Sequence, residues 1–315
     1  MRAIAFVLAT LLALPSHASE DIPDQYPGSA LYSKPVEVIP HVWSAIGATA
    51  PPTYENNGHN NNLSFIVTGD GVVVINGGAA YTLANALHDE IKLITDQPVK
   101  LVINENGQGH AMLGNSYWAE QGVPILAHVD AAHHFEVDGA QSLQAHQRVL
   151  REKAEGTTLV GPTETFEDSK TIEMGDFTIE VLYMGPAHGP GDTQVWLPDE
   201  SLVIAGDMAF HERMLPIFPD TDTAGWVETW ETAFEPLGAT YVIPGHGHPT
   251  NMAQVRRYTH DYLVYLRGKI REHIDEGGDL ASAYYVDQSP YAHLDTYEEL
   301  ATKNAGRVFE QMEWE

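Results

Sequence analysis

The 315-residue chain has no cysteine. Disulfides and thiolate metal ligands are therefore excluded, and any metal must be held by histidine, carboxylate or amide oxygen. Basic residues are also scarce: 16 Lys and Arg against 44 Asp and Glu give a formal net charge of −28. A field of that sign repels phosphate backbones and anionic lipid head groups, so nucleic acid and membrane are not expected partners, and a small neutral or cationic molecule is. The same excess also fits a simple adaptation for solubility. No Gly-x-Ser-x-Gly elbow is present, which removes the usual sequence basis for serine hydrolysis. No apolar run approaches the roughly 20 residues that cross a bilayer.

The longest apolar candidate, Ala3 to Leu14, follows Arg2 and precedes Pro15-Ser16-His17-Ala18. A short apolar core with small residues behind it has the pattern of a secretory signal, here residues 1–18, cleaved after Ala18. A periplasmic or secreted protein is the expectation. Residues 19–35 read as an extended N-terminal arm. A first strand is expected over Val36 to Ile46, and Leu63 to Val67 with Val72 to Ile75 predicts a hairpin across Thr68-Gly69-Asp70-Gly71. Leu83, Leu87, Ile91 and Ile94 share one face of a helix over Tyr81 to Thr95.

Strands and helices then alternate. Strands are expected at Leu101-Val102-Ile103 and Val123 to Ala127, a largely helical stretch from Val129 to Glu155, a second hairpin from Ile172-Met174 and Phe177-Tyr183, and short strands at Gln194 to Leu197 and Leu202 to Ala205. From Ala253 to Glu276, Val255, Tyr258, Tyr262, Leu266 and Ile270 fall at helical spacing. The main domain is expected over residues 36–252, with a C-terminal helical extension, residues 253–315, packed on it.

Four segments carry chemistry in a fixed order. The first is Asn106-Gly107-Gln108-Gly109-His110-Ala111, set between an apolar strand and Gly114-Asn115; the others are Gly185-Pro186-Ala187-His188-Gly189, Leu202-Val203-Ile204-Ala205-Gly206-Asp207, and Val242-Ile243-Pro244-Gly245-His246. Together they resemble the metallo-β-lactamase superfamily, whose first segment reads His-x-His-x-Asp-His. The resemblance implies an α/β fold, a four-layer αβ/βα sandwich, and a hydrolytic site for one or two zinc ions at the loop ends of the sheets.

Carried over by position, one ion site would be Asn106, Gln108 and His188, and the other His110 and His246 with Asp207 between the two, while Ala111 contributes nothing. Amide oxygens are weak zinc ligands, so the first site is expected empty and one divalent ion, zinc by the resemblance, is expected on His110, His188, Asp207 and His246. Asp207 and His110 are the expected catalytic pair; Asn106, Gln108, His59 and His211 are expected to line the pocket as substrate or oxyanion contacts. Asn76 stands where the family places an Asp that braces the histidine loop. The activity implied is cleavage of a neutral or cationic ester, thioester or lactam by metal-activated water. A metal-free binding protein on the same scaffold stays open as the alternative.

Overall fold

The computed structural model describes residues 25–315. The expected signal segment lies outside the described residues, as does the start of the arm. Among the described residues no helix is long and apolar enough to cross a membrane.

Two sheets form the centre. The first has seven strands in sequence order: β1 (Val36–Ile39), β2 (Val42–Ala45), β3 (Leu63–Val67), β4 (Val72–Ile75), β5 (Val99–Ile103), β6 (Ile125–His128) and β7 (Glu164–Phe166). It is antiparallel up to β4 and parallel beyond, where the helices α1 (Tyr81–Ile94), α2 (Gly109–Met112), α3 (Asn115–Glu120) and α4 (Val129–Leu150) make the crossovers. The second sheet runs β12 (Tyr241–His246), β11 (Leu202–Phe210), β10 (Thr193–Leu197), β9 (Phe177–Tyr183), β8 (Ser169–Met174), with only the β11/β12 pair parallel.

Side-chain alternation sorts the layers. In β4, Val73 and Ile75 point between the sheets and meet Ile179, Val195, Ile204 and Ile243, while Val72 and Val74 point outward onto Leu83, Leu87 and Trp118. Behind the second sheet, Val203, Ala205 and Val242 pack on α5 (Thr223–Thr229), α6 (Met252–Tyr258), α7 (His260–Asp275), α8 (Leu280–Ala283) and α9 (Tyr297–Met312) through Trp226, Val255, Leu266, Ala283 and Phe309. The result is the four-layer sandwich with a C-terminal helical part.

Three elements differ from the sequence reading. Val36 to Ile46 is a hairpin, turned at His41, whose φ of 70° is left-handed and whose N–H is taken by Glu37 Oε1. The strand ending in Asp207 runs on to Phe210, and the long helix after His248 is broken at Thr259. Thr259 Oγ1 accepts from Phe210 N (2.9 Å) and donates to Phe210 O (3.2 Å). This side chain pins the end of β11, and a continuous helix could not present it there.

Candidate metal centre

The loop after β5 is shaped by amides. Asn104 and Asn115 bond each other in both directions (3.1 and 2.9 Å), and Asn104 Nδ2 also reaches Ala111 O. Asn76, with φ 72°, accepts the Glu105 N–H on Oδ1 at 3.0 Å, so the expected brace exists and is neutral. Gly107 passes so close to α4 that a Cβ would lie 2.4 Å from Ala131 O.

At the centre stands Asp207, buried in the middle of β11. Its Oδ2 lies 3.3 Å from His188 Nδ1, 3.6 Å from His110 Nε2 and 3.1 Å from Asn106 Nδ2, and its Oδ1 lies 3.2 Å from His246 Nε2. Only glycines fit beside it: at Gly206 (φ +56°) a Cβ would strike Glu105 Oε2, and at Gly245 it would strike Asp207 Oδ1. Burial pushes the Asp207 pKa up, but His110, His246 and His188 together outweigh it and hold the carboxyl well below its usual range. Burial opposes charge on His110 and His188 too. There Asp207, joined at His110 by Glu105, raises both above the ordinary histidine value. At His246 burial wins, and its pKa falls to about 4.

Asp207, His110, His188, His246, Asn106 and Gln108 lie together at a cleft of about 950 Å³, and Gln108, His110, His188, Asp207 and His246 face into it; His188, expected as a metal ligand, stands outside the group of His110, Asp207 and His246 whose donor atoms lie within 4.8 Å of one another. Two predicted contacts do not reach it. His59 is fully buried, where Nδ1 accepts from Tyr32 N at 2.8 Å; its neighbour Asn60 lines the cleft instead. His211 turns outward, with Nδ1 on His248 O and its ring edge-on to Tyr258.

Two residues outside the expected site set take part. Glu105, buried one position before the motif, places Oε1 3.1 Å from His110 Nε2, and burial followed by the charge of Asp207 raises its pKa. Arg213, also buried, lines the cleft beside His246. A carboxylate ahead of the motif and an arginine six residues after Asp207 are both visible in the sequence, but nothing there shows that they turn inward.

The sequence profile of the metallo-beta-lactamase superfamily matches residues 110–246, the interval from the first to the last of these histidines. Over that interval the chain is similar to the metallo-beta-lactamase superfamily. The metallo-beta-lactamase type 2 of Bacteroides fragilis is 25% identical over 193 residues, 58% of this chain and 70% of that protein. The solved metallo-beta-lactamase from Pontibacter korlensis has a TM-score of 0.60 at 21% identity, covering 73% of this chain and 98% of its own. The stereoselective inverting sec-alkylsulfatase Pisa1 from Pseudomonas sp. has a TM-score of 0.68 at 16% identity and covers 90% of this chain, which spans 52% of that protein.

That superfamily is metal-dependent, and the donors at this site have the chemistry to hold a cation. One atom from each of His110, Asp207 and His246 lies within 4.8 Å of the others, all three residues are buried, and Asp207 Oδ1 has no hydrogen-bond partner among the described residues. His246 Nδ1 is fixed on Asn60 O at 2.5 Å, which leaves Nε2 on the Asp207 side. Two imidazoles and a carboxylate fit one divalent ion. At the other family position the Asn106 amide is turned the wrong way for a cation. Asn106 Oδ1 caps the Gln108 N–H (3.0 Å), so its NH₂ faces Asp207, and Gln108 Nε2 faces His188 Nδ1 at 3.1 Å.

Proposed function

We propose that the protein is a periplasmic metal-dependent hydrolase with a remodelled site for a single divalent cation, zinc by donor type, cleaving a small ester, thioester or lactam. The observation that carries this reading is the buried cluster of His110, Asp207 and His246 at the family's position, combined with NH₂ groups where the other cation would sit. Bound there, the ion supplies a Lewis acid that makes water nucleophilic near neutral pH.

The chain's own residues do the rest. Asn106 Nδ2 and His188 Nδ1 hold Asp207 Oδ2 in place from one side, and His246 approaches Oδ1 from the other. This fixes the carboxylate that orients water in the cleft. Glu105 Oε1 orients the His110 ring while Nε2 carries its proton; an ion held on that nitrogen would take the place of this bond. Asn106 Nδ2 is already engaged with Asp207, so the oxyanion role expected of it requires substrate to displace that bond; Gln108 Nε2 lies 3.1 Å from a His188 Nδ1 that gives its proton to Asp207, and so can donate to substrate. The alkylsulfatase likeness adds sulfate esters to the substrates worth assaying.

The test is metal content by mass spectrometry on untagged protein, with His110→Ala and His188→Ala beside the native chain. About one ion per chain, lost with His110→Ala, is the expected result. Protein that takes up no zinc, manganese or iron overturns the reading and leaves the metal-free binding protein.

A further inference from the structure

Helix α4 gives the cleft a polar face. His134, Asp138, Gln141, Ser142 and His146 all line it, on a stripe that recurs every three or four residues, whereas the buried residues of the helix are Ala131, Phe135, Gly139 and Leu150. The stripe rests directly on the loop of the metal cluster. A Cβ at Gly109 would lie 2.3 Å from Ser142 Oγ and 2.6 Å from His146 Cε1, so His146 stands against the residue that precedes His110.

His146 is set as a hydrogen-bond acceptor. Its Nδ1 lies 2.9 Å from Ser142 O, a carbonyl that can only accept, so the ring proton sits on Nδ1. Burial lowers its pKa, which keeps the ring neutral at pH 7 with a lone pair on Nε2. That nitrogen is buried and meets no donor among the described residues. The bond to Ser142, one turn back on the same helix, accounts for the tautomer and leaves Nε2 unexplained. An acceptor shielded from water and unpaired is unfavourable until a donor arrives. The other polar groups of the stripe do not supply one: the nearby His134 Nε2 is drawn to Asp138 Oδ2 at 3.4 Å and Asp220 Oδ2 at 4.0 Å. The side chains of Pro216, Phe218, Pro219 and Leu300, which line the same cleft, are apolar.

We propose that His146 selects the substrate: its Nε2 accepts a hydrogen bond from a hydroxyl or N–H that the substrate carries near its scissile bond, while the apolar part of the molecule lies against Phe218 and Leu300. The inference rests on the cleft being the substrate site of the hydrolase proposed above, and it narrows the esters, thioesters and lactams to those bearing such a donor. An analogue with the donor methylated leaves the buried lone pair unpaired and is rejected for that reason.

The test uses the full chain stripped of metal, so that binding is read without turnover. Benzyl alcohol and benzamide carry a donor; benzyl methyl ether and N,N-dimethylbenzamide are their methylated counterparts. By isothermal titration at least one donor ligand should bind about fivefold tighter than its counterpart, the worth of one net hydrogen bond, and the pair that shows the preference identifies the hydroxyl or the N–H class. His146→Phe should bring that ratio close to one, and His146→Gln, which keeps an acceptor, should retain part of it. In native protein labelled with nitrogen-15 histidine, the Nε2 resonance of His146 should move with the donor ligand and stay in place with the methylated one, a readout that needs no stable Phe variant. Equal binding within both pairs by the native chain, a preference that survives His146→Phe, or no binding of any of the four ligands overturns the proposal. Failure of the hydrolase reading is separable: the chain then keeps the preference while taking up no metal and turning over no ester.

Discussion

Replacing Asn304 by Ala should be among the most damaging single changes outside the metal cluster. The side chain is fully buried on α9 and makes three bonds: Nδ2 donates to Leu215 O (2.8 Å) and to the Tyr262 hydroxyl (2.9 Å), and Oδ1 accepts from Ile217 N (2.9 Å). Two of these hold the backbone of residues 213–221, the segment that carries Arg213 and Phe218 along the cleft. Each net bond contributes about 1 kcal/mol, and each buried group left unpaired costs about 1–3 kcal/mol more. Tyr262 keeps its bond to Gln288 Oε1, so the two backbone groups set the scale and a loss of about 3–5 kcal/mol is expected. Urea denaturation measures it, with the midpoint falling and the slope unchanged. Asn304→Asp keeps the size and the acceptor for Ile217 but turns a carboxylate oxygen toward Leu215 O, and should be no better tolerated. A loss below about 1 kcal/mol in both variants would refute the claim that α9 templates this wall of the cleft.

Three further outcomes can be checked. The double change Asn106→His with Gln108→His rebuilds two lost imidazoles beside His188, and bound zinc per chain should rise from about one toward two by mass spectrometry. Gly206→Ala forces a left-handed φ of +56° and a Cβ 2.2 Å from Glu105 Oε2, so thermal or chemical unfolding should show a loss of about 2–4 kcal/mol. His59 has a folded pKa of about 4, held down by burial, against about 6.5 unfolded. The unfolded chain binds more protons between those values, so this contribution to stability is complete above pH 6.5 and is lost as pH falls toward 4, about 3 kcal/mol in all. In His59→Asn the unfolding free energy should fall less steeply across that window; an unchanged slope rules out His59 as the source.

The framework was readable because it is carried by periodicity and by turn residues. Val72 to Ile75 could only be a strand buried on both faces, and His188, Asp207 and His246 each end or follow a recognisable strand. What escaped depends on contacts between distant residues. Thr259 breaks a helix whose spacing is regular, because its hydroxyl is used by Phe210 49 positions away. His59 and Asn60 are neighbours in one polar run, and only the packing of Tyr32 decides which of them turns from the cleft. Glu105 and Arg213 look like ordinary surface charges in a chain with 44 acidic residues. The direction of the Asn106 amide, on which the single-ion reading turns, follows from one bond to Gln108 N that no residue pattern announces.

The stitching of residues 213–221 to α9 also has a consequence in time. Met214 O is held by Thr296, Leu215 O by Asn304 and Thr221 O by Gln311, at separations of 82, 89 and 90 residues. Pairings that distant form late in folding, because a long loop must close before they give anything in return. The metal cluster is no less demanding, since Asn106 reaches Asp207 across 101 residues and His246 reaches Asn60 across 186. Cluster and wall should therefore complete late and together, so that no partly folded chain holds the donors of the cleft in working order.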